Sequence, residues 1–88
     1  MKVEFLEAFT KDLDRLRELS IKKAIVGILA NCERASSLKD IPNVKKLKGY
    51  KNAYRIRLGE YRLGFYFENG VIEFARLLNR KEIYRSFP

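Results

Sequence analysis

From Tyr54 to Leu78 the chain alternates apolar and polar residues and is interrupted twice, at Gly59-Glu60 and at Asn69-Gly70. Alternation with period two marks strands with one buried face, and two-residue breaks of this kind close hairpins. Asn-Gly is the strongest such signal, because both central residues of a type I′ turn need positive φ. The segment therefore predicts three consecutive antiparallel strands over 54–58, 61–68 and 71–78. A chain of 88 residues that commits this much of itself to a meander must use the remainder to cover one face of it.

The two turns also fix the register. Across the first hairpin Leu58 faces Tyr61, Ile56 faces Leu63 and Tyr54 faces Phe65. Across the second, Phe67 faces Ile72 and Phe65 faces Phe74, and all of these share the core face. The other face gathers Arg55, Arg57, Arg62, Gly64, Tyr66, Ala75 and Leu77. Arg57 lies directly opposite Arg62, and no acid stands between the arginines. Like charges opposed across a ladder cost a few tenths of a kcal/mol or more, so a sheet shaped only for stability would avoid them. An anion bearing phosphates, laid across this face, explains the pairing. The same register pairs Gly64 with Ala75 and Leu77 with Arg62, which predicts a shallow basic groove with a glycine floor. It also brings Arg80 out just beyond the edge where Arg62 points, with Tyr84, four residues on, in reach of the same groove.

The cover comes from the first half of the chain. Lys2 to Leu6 alternates weakly and reads as a short strand. Residues 8–19 place Phe9, Leu13 and Leu16 at helical spacing. Ser20 is the expected N-cap of a second helix that buries Ile21, Ala24, Ile25, Ile28, Leu29 and Cys32. Helices joined this closely are expected to form an antiparallel hairpin. Ser36-Ser37 and Pro42-Asn43 end the helical region, Val44 to Lys48 reads as a further strand, and Gly49 to Asn52 as its turn. The fold class expected is α+β: two N-terminal helices packed on a small antiparallel sheet of about four or five strands, in one domain spanning 1–88.

Charge and composition narrow the function. The net charge is +8, but residues 1–44 are nearly balanced and residues 45–88 hold eleven Lys/Arg against four Asp/Glu. A basic excess confined to particular strands attracts nucleic acid or an acidic protein segment. No apolar run approaches the roughly 18–20 residues of a spanning helix, and the first residues carry acids where a signal peptide needs an apolar core, so no membrane role is expected. A single cysteine, Cys32, suits a reducing cytoplasm. The absence of histidine removes the usual metal clusters and histidine acid–base catalysis, so neither metal nor cofactor is expected.

Three blocks carry a family likeness: Leu47-Lys-Gly, then Tyr54-Arg-Ile-Arg-Leu-Gly-Glu-Tyr-Arg-Leu, then Asn79-Arg-Lys-Glu-Ile-Tyr-Arg. With Val3-Glu-Phe and Phe9-Thr-Lys-Asp-Leu near the start, they resemble the RelE branch of the RelE/ParE toxin superfamily over essentially the whole chain. The resemblance implies a RelE-like, microbial-RNase-type fold, and a toxin of a type II toxin–antitoxin pair that cleaves mRNA on the ribosome without a metal ion. It implies a RelB-like inhibitory antitoxin as cognate partner. Arg55, Arg57, Arg62, Arg80 and Tyr84 then become the expected catalytic set, with Lys45, Lys46, Lys48, Lys51, Lys81 and Arg85 as the RNA-binding fringe. Some family members place lysines at the positions of Arg55 and Arg57, and many have histidine at that of Asn79. For proton transfer the sequence offers Glu60, Glu82, Lys81 and Tyr84 and selects none. The alternatives are a ParE-like inhibitor of DNA gyrase that cuts nothing, and a non-catalytic RNA-binding module.

Overall fold

The computed structural model describes residues 1–88. The meander consists of β3 (Ala53–Leu58), β4 (Tyr61–Glu68) and β5 (Val71–Asn79), preceded by a short β2 (Val44–Lys46). The expected antiparallel pairings of β3 with β4 hold residue for residue: Tyr54 with Phe65, Ile56 with Leu63, Arg57 with Arg62 and Leu58 with Tyr61. Asn69 and Gly70 both take positive φ, 52° and 76°, the backbone that the type I′ turn requires. One strand arrives differently. β1 (Lys2–Phe5) lies parallel to β5 at the outer edge, so the sheet is mixed, in the order β1-β5-β4-β3-β2. Its connection to β5 spans most of the chain, well beyond the roughly dozen residues that a parallel crossover needs.

Helices α1 (Glu7–Arg15) and α2 (Leu19–Arg34) cover one face. α1 is shorter than the sequence spacing suggested. Leu16 through Glu18 leave the helix, with Leu16 and Glu18 in extended conformation. Glu18, rather than Ser20, therefore precedes the first turn of α2, and no side chain caps it. The core beneath holds Phe9, Leu16, Ile25, Cys32, Ile56, Leu63, Phe65, Ile72, Phe74 and Leu77. Its aromatic rings are in contact, with Phe9 and Phe74 centroids 5.3 Å apart and Tyr54 stacked on Phe65 at 5.3 Å. Phe65 and Phe74 are fully enclosed, whereas Phe67 is only half-buried at the rim. Burial pushes the Cys32 thiol up to about 11, so it packs as a small hydrophobe. No helix is long and apolar enough to cross a membrane.

The second hairpin departs from simple counting. Phe65 pairs with Phe74, but Gly64 pairs with Arg76 and Leu63 with Leu77. Ala75 is the extra residue of a β-bulge, and a one-residue insertion reverses which side chains face the core. The expected Gly64–Ala75 and Arg62–Leu77 pairs therefore do not form: Arg62 faces Leu78, and Leu77 belongs to the core. The cause is Asp12 on α1. Its Oδ2 accepts hydrogen bonds from the Leu77 backbone N–H (2.9 Å) and Arg76 Nε (2.8 Å), while Oδ1 accepts from Arg76 Nη2 (3.1 Å). One carboxylate thus satisfies a backbone donor in the bulged segment and a bidentate guanidinium, and the Arg76 pKa is raised by the hydrogen bond to Asp12.

The residues that follow β5 form a helix. α3 (Arg80–Ser86) is capped by Asn79, whose side chain accepts from the Lys81 N–H at 3.0 Å. α3 packs on β4 and β5, where Leu47, Ala53, Ala75, Ile83 and Phe87 form a second, smaller core with Tyr66 and Leu78 at its edge. These residues alternate with those of the larger core, so α3 covers part of the face opposite α1 and α2.

Removing the Asp12 carboxylate strands a half-covered guanidinium and a buried N–H. Fully buried pairs cost about 3–5 kcal/mol when one partner is deleted. The Arg76 side chain is 28% exposed, so Asp12→Ala should cost about 2–3 kcal/mol in urea unfolding, with an unchanged m value. Gly64 makes a second test, because a Cβ there would lie 2.5 Å from Phe87 Cδ2. Gly64→Ala should lower stability by about 1–2 kcal/mol through overpacking, and Phe87→Leu in the same chain should restore part of it. Gly27→Ala on α2, where nothing lies within 4 Å, should instead stabilise by about 0.5–1 kcal/mol.

Candidate functional site

Two cross-strand rows of cations occupy the part of the sheet that α3 leaves open. β3–β4 pairing opposes Arg57 to Arg62, and β2–β3 pairing opposes Lys45 to Arg55. The second like-charge pair was not legible in the sequence, since the register of β2 has no tight turn to count from. A groove of about 440 Å³ runs between these rows, lined by Asn43, Val44, Lys45, Arg55, Arg57, Arg62 and Tyr84. Asn43, which the sequence marks only as part of the break after the helices, adopts φ of 64° and accepts the Arg57 N–H through its carbonyl at 3.1 Å.

The arginines differ in how they are held. Arg62 Nη1 donates to the carbonyls of Gly59 and Tyr61, each at 2.8 Å, which pins its guanidinium to the β3–β4 turn. The Arg55 guanidinium lies 4.6 Å from the centre of the Tyr84 ring, a cation–π distance, and its buried Nε has no hydrogen-bond partner. Arg57 is exposed and pairs with no carboxylate. One guanidinium is thus anchored, one is stacked and one is uncommitted.

Arg80 does not line the groove. Its Nε pairs with the Glu60 carboxylate at 2.9 Å, and its backbone N–H donates to the Glu60 carbonyl at 2.8 Å. Arg80 therefore reaches the turn that also holds Arg62, but it is tied to an acid there, and neither Glu73 nor Glu82 is its partner. The glycine floor is corrected as well. The space above Gly64 is filled by Phe87, which meets Tyr66 at a centroid distance of 5.1 Å. Gly64 accommodates the chain's own C-terminal aromatic ring rather than a ligand. That role needed a partner 23 positions away, which no local pattern reveals.

Of the four residues considered for proton transfer, Tyr84 alone lines the groove; it is 73% exposed. Glu60 is paired with Arg80, Glu82 lines a different cleft beside Glu18 and Tyr61, and Lys81 points outward on α3. In that other cleft Tyr61 donates to Glu18 at 3.1 Å, and this bond raises the tyrosine pKa. Lys45, Lys46, Lys48 and Lys51 surround a second depression that shares Lys45 and Arg55 with the first. Lys81 and Arg85 are exposed on α3, outside both grooves.

Comparison with known proteins agrees with this architecture. Residues 3–84 match the family model described as the ParE toxin of type II toxin–antitoxin systems, parDE. The chain is 45% identical over 89 residues to Toxin RelE3 of Methanocaldococcus jannaschii, covering 100% of each. Its fold is similar to the toxin in the crystal structure of a RelB-RelE antitoxin–toxin complex from Methanococcus jannaschii, with a TM-score of 0.83 and 41% identity over 97% of this chain and 99% of that one. It is also similar to a chain of the archaeal RelE-RelB complex from Pyrococcus horikoshii, with a TM-score of 0.71, 24% identity, and 90% and 93% coverage. The latter likeness, at lower identity, is one of fold.

The opposed arginines carry a stability cost that can be measured. Arg57→Gln removes the repulsion with Arg62 and should raise stability by a few tenths of a kcal/mol at low salt. The gain should shrink as salt approaches 1 M, where the screening length falls to about 3 Å.

Proposed function

The chain belongs to the ParE toxin family of type II toxin–antitoxin systems, within the RelE/ParE superfamily, and from that premise we propose that it is a RelE-type toxin, a single domain over 1–88, that cleaves mRNA on the ribosome. The observation that carries this reading is the groove in which Arg55, Arg57 and Arg62 converge with Tyr84, at the cost of two like-charge cross-strand pairs. Such a surface gains only when an anion fills it.

The reaction class is transesterification by the RNA itself. The 2′-oxygen attacks the neighbouring phosphorus, the bond to the 5′-oxygen breaks, and a cyclic phosphate and a 5′-hydroxyl result. Charge builds on the non-bridging oxygens in the transition state, and preorganised cations there act as the largest catalytic contribution in many enzymes. Arg57, which has no competing partner, takes the phosphate oxygens, and Arg62 adds a fixed cation from the turn. Guanidinium forks suit two oxygens at once. No metal is required for this role. Tyr84, already stacked on Arg55, presents its outer surface to a base, the usual mode for single-stranded RNA. Arg80 joins only by leaving Glu60. That pair is more than half exposed, so breaking it costs roughly 0–1 kcal/mol, less than a charge-assisted bond to phosphate returns. Lys46, Lys48, Lys51, Lys81 and Arg85 contribute long-range attraction for the RNA backbone.

The partner proposed is a RelB-like antitoxin whose acidic or amphipathic segment covers the groove, as electrostatic complementarity favours. The family model's name keeps gyrase inhibition as the competing reading. Induced expression separates them: the wild type should stop growth and leave breaks within translated codons by primer extension. Arg57→Ala and Arg62→Ala should each reduce cleavage at least tenfold. Intact messages together with lost supercoiling by purified gyrase would replace the nuclease with the gyrase reading.

A further inference from the structure

The loop between β2 and β3 has the largest groove of the surface, about 660 Å³, and neither the fold nor the phosphate site accounts for it. It is lined by Lys45, Lys46, Lys48, Lys51 and Arg55 around one aromatic residue, Tyr50. None of the four lysines pairs with a carboxylate. Gly49 has φ of 86°, which a side chain would resist, and the Tyr50 N–H turns back to the Leu47 carbonyl at 3.4 Å. The turn thus holds Tyr50 outward, half exposed. Tyr54 and Tyr66 are engaged with neighbouring rings and Tyr84 with Arg55, whereas Tyr50 stacks on nothing and its hydroxyl has no hydrogen bond.

A lone exposed tyrosine is ordinary. This one is not isolated, because its groove shares Lys45 and Arg55 with the groove of Arg57, Arg62 and Tyr84. The two depressions meet at Lys45 and Arg55, where Tyr84 stacks, with Tyr50 in one and Arg57 and Arg62 in the other. Alternating cations and free aromatic faces are what a single strand of nucleic acid uses, since the cations follow its phosphates and the rings stack its bases. An acidic peptide would need the cations but gives no reason for an aromatic face in a groove whose nearest aliphatic residue, Leu47, is buried.

We propose that Tyr50 is a base-stacking residue of the site: it receives the base of a nucleotide flanking the scissile phosphate toward the β2–β3 loop, while Lys48 and Lys51 hold that nucleotide's phosphate. This rests on the reading of the chain as an mRNA-cleaving toxin. Stacking tolerates any base, so the subsite governs how firmly the message is held more than which codon is cut.

The test uses ribosomes carrying a defined message, intact or with an abasic residue at the nucleotide immediately before or immediately after the scissile pair, and single-turnover cleavage. For the wild type, the abasic residue on one flank should slow cleavage about tenfold at subsaturating toxin. Tyr50→Ala should show the same loss on the intact message and no further loss on the abasic one, and Tyr50→Phe should retain wild-type behaviour. If Tyr50→Ala cleaves normally, or loses equally on all messages and remains sensitive to the abasic residue, the subsite does not exist. If Tyr50→Ala cleaves normally but binds the antitoxin more weakly, the groove is a protein surface and the proposal is overturned. Arg57→Ala serves as the separate control: cleavage unaffected there removes the phosphate site from the groove and the subsite with it, whereas no cleavage by the wild type removes the nuclease reading itself.

Discussion

The seating of Phe87 over Gly64 is the constraint from which the site geometry follows. A ring can approach the strand this closely only where there is no Cβ, and the approach brings the end of α3 down onto β4. With Phe87 and Ile83 buried, α3 has one orientation on the sheet. Tyr84, next to Ile83 in sequence, is then turned to the other side of the helix, over Arg55. The start of the helix is fixed separately, by the Asn79 cap and by the two contacts between Arg80 and Glu60. A seven-residue helix has little stability of its own; here packing at one end and a turn at the other hold it in place. The face opposite the main core is consequently divided. One part is sealed by α3, and the remainder, toward β2, is left to cations.

That division explains how so small a sheet tolerates its own repulsion. Each opposed cation pair costs a few tenths of a kcal/mol, whereas a fully buried phenylalanine or isoleucine contributes about 1.5–3 kcal/mol. The second core offsets the charge rows on the same face several times over. The Asp12 clasp does equivalent service on β5 beside the Gly64 pairing, where it satisfies the bulge that turns Leu77 inward and Leu78 toward α3. Without the bulge, β5 would present Leu77 to the groove face and Leu78 to the main core, and α3 would lose the apolar edge on which it rests.

The parts legible in the sequence were those set by neighbours a few residues apart. The first tight turn fixes the register of β3 with β4, which gives the Arg57–Arg62 opposition, and the second fixes the start of β5 against β4, which gives the facing core rings of Phe65 and Phe74. What escaped is set by distant partners. The bulge depends on Asp12, 65 positions from Leu77, in a helix whose sequence marks Asp12 only as one polar residue among several. Gly64 reads as an open floor until Phe87 is seen to fill it. Arg80 reads as part of the groove until Glu60 is seen to hold it. The parallel entry of β1 beside β5 has no local signature either, since a parallel pair has no hairpin turn to count from.

On the proposed reading, the groove's contents also set a division of chemical labour. Three guanidinium groups stabilise charge and fix geometry, and guanidinium groups do not give up protons in proteins. Lys45 and Tyr84 are the remaining ionisable residues lining it, and both side chains carry hydrogen-bond donors. Either suits the departing 5′-oxygen. Neither suits the attacking 2′-hydroxyl, which needs an acceptor, and the nearby carboxylates are engaged or turned away: Glu60 with Arg80, and Glu82 toward the cleft beside Tyr61. On that reading the protein supplies orientation, charge and a donor, and the acceptor for the 2′-hydroxyl proton lies outside the groove.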